Sequence, residues 1–79
     1  MRLISACGTL EINYEKFSYF ISKEADDFYS ISTVEKPCLV IGSGYNSFEN
    51  AYKAMDMIRK DFISKKQYSR CLRNEELDG

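Results

Sequence analysis

"VIGSGYNSFENAYKAMDMIRKDF", Val40 to Phe62, decides how this chain folds. Phe48, Ala51, Met55, Ile58 and Phe62 recur at spacings of three and four, with Tyr52 beside them, making one apolar stripe on a 3.6-residue period. Lys53, Asp56, Arg59, Lys60 and Asp61 fall away from that stripe. Asn46 and Ser47 both suit an N-cap, and Asn46 with Glu49 forms a pair resembling a capping box. Glu49 in the first turn and Lys65 and Lys66 in the last complement the helix dipole. Asp56 and Lys60 add an i,i+4 ion pair. These features predict a helix from about Ser47 to Lys65.

Ahead of the helix lie the apolar run Cys38-Leu39-Val40-Ile41 and then Gly42-Ser43-Gly44. A strand, a glycine turn and a helix in that order can hold a phosphate. The dinucleotide fingerprint needs a third glycine where Ser47 stands, and a P-loop needs a lysine where Tyr45 stands. The short segment beyond the helix carries no convincing second parallel strand. The glycines are therefore read as a bend that admits positive φ between strand and helix, not as a cradle.

Toward the amino terminus the pattern changes to period two. Leu10, Ile12 and Tyr14 alternate with polar residues in a strand that starts near Arg2 or Leu3, with Gly8 as a bulge. Phe17, Tyr19 and Ile21 mark a second strand, and Phe28 to Val34 a third rich in aromatic and β-branched residues. Cys38 to Ile41 is the fourth, with Pro37 at its start. Short connections favour antiparallel neighbours. The expected fold is α+β: a four-stranded antiparallel meander with one long helix across one face, in a single domain spanning 1–79. Residues 67–79 are expected to form a docking turn around Tyr68, Cys71 and Leu72, followed by a frayed acidic end.

If Tyr19, Ile21, Tyr29, Ile31, Leu39 and Ile41 point at the helix, then Phe20, Phe28 and Val40 point away from it. A solvated sheet face should be polar, so these three residues are a candidate partner-binding patch. The competing expectation is that Met1–Ala6 or the tail around Leu72 covers them.

Composition narrows the function. The chain has 79 residues, 44% of them hydrophobic and 29% charged, as in an ordinary small globular domain. A net charge of −1 does not steer it to nucleic acid. Lys65, Lys66, Arg70 and Arg73 form a basic segment that supplies the alternative reading, phosphate contact with DNA or RNA. Lys16 to Ile21 faintly matches the basic-aromatic strand of RNA-binding sheets but lacks its glycine and aromatic spacing. There is no His, so the commonest general base is missing, and an enzyme is not expected. Asp26-Asp27 lies in a charged turn without a calcium-loop pattern. Cys7, Cys38 and Cys71 lack metal-site spacing and are read as free, buried thiols. No metal or cofactor is expected. The first residues lack the apolar core of a signal peptide, and no stretch is long enough to span a membrane. Cytoplasm is the expected location.

Tyr45, Asn46, Ser47, Glu49, Ala51, Ala54 and Ile58 follow the pattern [YF]-N-S-x-E-x-A-x-x-A-x-x-x-I after a run of strands. Over residues 10–64 the chain thereby resembles small β-meander-plus-helix proteins of bacterial and phage genomes. That resemblance implies the fold above and no particular activity. Phage proteins of this size and fold are frequently inhibitors or adaptors that bind host proteins. The expected function is non-catalytic protein binding, to a host protein or to a second copy.

Overall fold

Gly8 sets where the amino-terminal segment turns. Its φ is 78°, and its N–H donates to the Ser5 carbonyl at 2.9 Å. The Ser5 N–H reaches the Leu10 carbonyl at 2.9 Å, and the Leu10 N–H reaches Ser5 Oγ at 3.1 Å. The stretch expected to be one bulged strand is instead a hairpin of β1 (Arg2–Ile4) and β2 (Glu11–Asn13).

A computed structural model describes residues 1–77. After β2 come a 3-10 turn (Tyr14–Lys16), β3 (Tyr19–Ala25), β4 (Phe28–Thr33), β5 (Val40–Tyr45), α1 (Phe48–Ile63), β6 (Tyr68–Arg70) and α2 (Asn74–Leu77). The architecture is α+β, but the single four-stranded meander is corrected to two three-stranded sheets, ordered β2-β1-β6 and β3-β4-β5. Only β3, β4 and β5 form a meander. In the other sheet β6 pairs parallel with β1, with Leu3 opposite Ser69. The Ala6 N–H donates to the Ile41 carbonyl at 2.8 Å, which ties the end of β1 to the edge of β5. Residues 68–77, expected as a docking turn and an acidic fray, thus form a strand and a helical turn; Asp78 and Gly79 lie outside the described residues.

The Gly42–Gly44 stretch is neither a cradle nor the strand-to-helix bend. It lies inside β5, and the turn into the helix is only Asn46-Ser47. Gly44, with φ 77°, occupies an irregularity in which the register passes from Tyr29↔Tyr45 to Ile31↔Gly42. That is a bulge placing one extra residue on β5. Gly42 answers a different need. A Cβ there would overlap the Tyr45 hydroxyl and lie 2.9 Å from Cys71 Sγ. Tyr45 is fully buried, and its hydroxyl donates to the Leu72 carbonyl at 2.5 Å beside Cys71 Sγ at 3.1 Å. Burial also raises the Tyr45 phenol above its ordinary pKa.

Ser47, not Asn46, caps α1: its Oγ accepts the Asn50 N–H at 3.1 Å. Asn46 instead joins a polar knot, with its Oδ1 taking Asn50 Nδ2 at 3.0 Å and its own N–H donating to Asn74 Oδ1 at 3.1 Å. Asn50 Nδ2 also reaches Asn74 Oδ1 at 3.1 Å, so α2 is stitched to the start of α1. At the other end Lys65 adopts φ 60°, with the Lys65 N–H bonded to the Phe62 carbonyl and the Lys66 N–H to the Asp61 carbonyl. This is a Schellman ending, with a lysine in the left-handed position that glycine usually fills.

The buried face of α1 is Asn50, Ala51, Ala54 and Ile58. It is rotated from the expected stripe: Ala51 and Ile58 are inside, Met55 is half-buried, and Phe48, Tyr52 and Phe62 are exposed. Two alanines let the helix axis approach the strands closely, and the larger side chains move to its flank. There Phe48 meets Tyr29 edge-on at 6.4 Å, and Phe62 meets Tyr14 at 5.1 Å. The fully buried core joins Leu3, Ile31, Ile41, Tyr45, Ala51, Ala54, Ile58 and Cys71 from both sheets and α1. No helix among the described residues is long and apolar enough to cross a membrane.

Candidate functional site

The β3–β4–β5 sheet has two chemically different faces. Tyr19 pairs with Thr33, Ile21 with Ile31 and Lys23 with Tyr29, and this set points at α1. The alternate set is Phe20 opposite Ser32, Ser22 opposite Ser30, and Phe28 at the far end of β4. Across the other ladder Ser32 also faces Val40. Paired residues share a face, so Phe20, Ser32 and Val40 form one transverse row on the side away from the helix.

That row brings two of the sequence-predicted residues, Phe20 and Val40, together, whereas Phe28 shares their face but stands four residues from Ser32 at the other end of β4. Phe20, Phe28 and Val40 are 39%, 44% and 54% exposed, and Val34, continuing the same face, is 52% exposed. The Val34 N–H bonds to the Ser18 carbonyl, which carries the β3–β4 ladder one step further. Neither expected segment is laid across the sheet, and of Met1–Ala6 only Ala6 borders the patch, in a recess it shares with Val40. Met1–Ala6 contributes β1 to the other sheet, and Leu72 accepts the Tyr45 hydroxyl beside Cys71. Ser30 and Ser32 nonetheless keep only 5% and 7% of their surface in solvent. Ser32 lies between Phe20 of β3 and Val40 of β5, whereas Ser30 faces Ser22 on β3. The result is a furrow along β4 with a hydroxyl floor and apolar rims. Sequence reasoning found the rims through alternation but not the floor, because serine on a solvated face carries no hydrophobic signal.

The basic segment is built differently. Arg70 Nη1 donates to Glu76 Oε1 at 2.9 Å, and Arg70 Nη2 bonds Glu76 Oε2 as the second prong of a bidentate pair. Arg73 Nε lies 3.4 Å from Glu76 and 3.5 Å from Glu75, and Lys66 lies 3.3 Å from Asp61. Lys65 has no acidic partner among the described residues. Three of the four candidate phosphate ligands are thus neutralised by carboxylates of the same chain, which explains why a segment that reads as basic in sequence presents little positive field.

No family model, curated protein or solved structure matches this chain. What the surfaces offer must be judged from their own geometry.

The Arg70 guanidinium holds Glu76 well below the usual carboxylate range, at about 2 against an ordinary 4.5. A depressed acid contributes to folding above its unfolded pKa and loses that contribution as pH falls through its folded pKa. The α2 docking pair should therefore be intact above about pH 4.5 and lost toward about pH 2. A nuclear magnetic resonance (NMR) titration of the Arg70 guanidinium should show this acid transition, and Glu76→Gln should abolish it. An Arg70 signal that ignores pH over that window would show that the pair does not form.

The thiols also depart from expectation, since Cys7 and Cys38 are exposed and only Cys71 is buried. Thr9 Oγ1, 2.9 Å from Cys7 Sγ, lowers that thiol to about 7, whereas burial raises Cys71.

Proposed function

We propose that this chain is a non-catalytic protein-binding module whose outer β3–β4–β5 face receives an amphipathic helix of a partner protein. The observation that carries the reading is the furrow itself: buried Ser32 between exposed Phe20 and Val40, with buried Ser30 further along β4. The two rims stand on strands two spacings apart, about 9.5 Å, so the gap between their side chains admits the edge of an α-helix rather than its full ~10 Å width. A helix laid along β4 would bury its apolar edge between them while its polar face stayed in water.

A second copy fits less well. Four side chains about half exposed present on the order of 300 Å² of apolar surface. Each side of a stable dimer contributes ~800 Å². The patch suits a transient complex with a polar rim. The resemblance to small phage proteins adds the finer reading, an accessory protein or inhibitor acting on a host protein.

Phe20→Asp and Phe28→Asp test this. Phe20 stands on an exposed rim and Phe28 at the exposed end of β4 on the same face, so a charge at either should leave the circular-dichroism spectrum unchanged. A partner captured by the wild type should bind at least about tenfold more weakly to each variant, because a charge is stranded in an apolar contact. The free chain should sediment as a monomer. Equal capture by wild type and variants would reject the reading. Retention on DNA or RNA at low salt, lost in a Lys65→Glu/Lys66→Glu variant, would favour nucleic-acid binding instead.

A further inference from the structure

On the opposite side of the same sheet, where the 3-10 turn and β3 meet α1, lies a recess of about 280 Å³ lined by Tyr14, Tyr19, Tyr52, Met55, Asp56 and Arg59. We propose that this recess binds a small aromatic carboxylate, its ring between the tyrosines and its carboxylate on Arg59. The inference is independent of the outer sheet face.

Size comes first. Ligand sites commonly measure about 300–1,000 Å³. At about 280 Å³ the recess falls just below that range, so it admits one substituted ring and excludes a nucleotide.

The wall is fixed before any ligand arrives. The Tyr14 and Tyr19 rings stack at 5.2 Å with planes 11° apart. The Tyr19 hydroxyl donates to the Tyr14 carbonyl at 2.8 Å, and Phe62 braces the Tyr14 ring. Tyr52 and Met55, three residues apart on α1, form the facing side; Phe48 stacks on Tyr52 with ring centroids at 6.4 Å. Aromatic faces and a thioether make a slot for a flat, polarisable ring.

Charge decides the substituent. Arg59 Nε and Nη2 both donate to Asp56 Oδ1, at 3.1 and 2.7 Å, and Lys60 Nζ lies 3.1 Å from Asp56 Oδ2. Both oxygens of Asp56 are therefore engaged, and the set of one carboxylate and two cations is net positive. Arg59 Nη1 has no hydrogen bond among the described residues and remains a charge-assisted donor. Tyrosines around an aspartate would also suit a quaternary ammonium. Here that aspartate already carries two cations, so a third would be repelled.

The test is an NMR titration of the full chain with 4-hydroxyphenylacetate, its neutral amide and tetramethylammonium. The acid should give saturable shifts at Tyr14, Tyr19, Tyr52 and Arg59, and should bind about tenfold more tightly than the amide. Arg59→Gln should erase the preference for acid over amide, whereas Tyr52→Ala should weaken both ligands. Both side chains are exposed, so circular dichroism should be unchanged, and the wild-type acid–amide comparison does not depend on either variant. Phe20→Asp should leave the titration unaltered. Non-saturating shifts, equal binding of acid and amide, or binding of tetramethylammonium in preference to the acid would each overturn the proposal.

Discussion

Gly42→Ala should destabilise the folded chain by about 3 kcal/mol, read as a lower urea midpoint with an unchanged slope. One methyl group has nowhere to go, because its Cβ would overlap the Tyr45 hydroxyl and press on Cys71 Sγ. A flexible side chain could swing aside, but Tyr45 cannot. It is completely buried, and its hydroxyl is held by the Leu72 carbonyl and Cys71. Moving the ring would break the bond that anchors the segment between β6 and α2. Combining the change with Tyr45→Phe removes the overlapping oxygen, so the double variant should be less destabilised than the sum of the singles by about 1 kcal/mol or more. A loss below about 0.5 kcal/mol for Gly42→Ala would mean that Tyr45 does not lie over Gly42.

Ile58→Ala should cost about 3–4 kcal/mol, and Phe48→Ala only about 1 kcal/mol. The larger side chain carries the smaller penalty. Ile58 keeps 1% of its surface in solvent and belongs to the buried core, whereas Phe48 lies on the flank against Tyr29 and Tyr52. For a small domain with total stability of order 5–10 kcal/mol, the Ile58 change removes a large share. The reverse order in thermal or urea unfolding would place α1 in the rotation that the apolar stripe alone suggests.

That rotation marks the limit of what periodicity conveys. The stripe correctly located α1 and its buried Ile58, but Phe48 and Phe62 are apolar for a different purpose: they pair with Tyr29 and Tyr14 at the margin. Hydrophobicity does not distinguish a core residue from one closing the seam beside it. Ala51 and Ala54, weak in the sequence signal, occupy the centre because their small size permits close approach. The second sheet was hidden for another reason. β1 and β6 have three residues each, too few to display alternation, and their pairing joins opposite ends of the chain. Gly8 was legible as a departure from regular strand, but a bulge and a turn read alike until the Ser5–Leu10 hydrogen bonds are seen.

The candidate surface was half legible. Strand alternation placed Phe20, Phe28 and Val40 on one side, and the register agrees. The serine floor needed coordinates. So did the neutralisation of Arg70 and Arg73, whose partners Glu75 and Glu76 had been expected to fray.

The most direct test of the surface is a backbone amide shift map of the labelled chain as a captured partner is added. Shifts centred on Phe20, Ser30, Ser32, Val34 and Val40, leaving Lys65 to Arg73 undisturbed, are the expected result. Shifts confined to Lys65–Arg73, with the furrow silent, would contradict it.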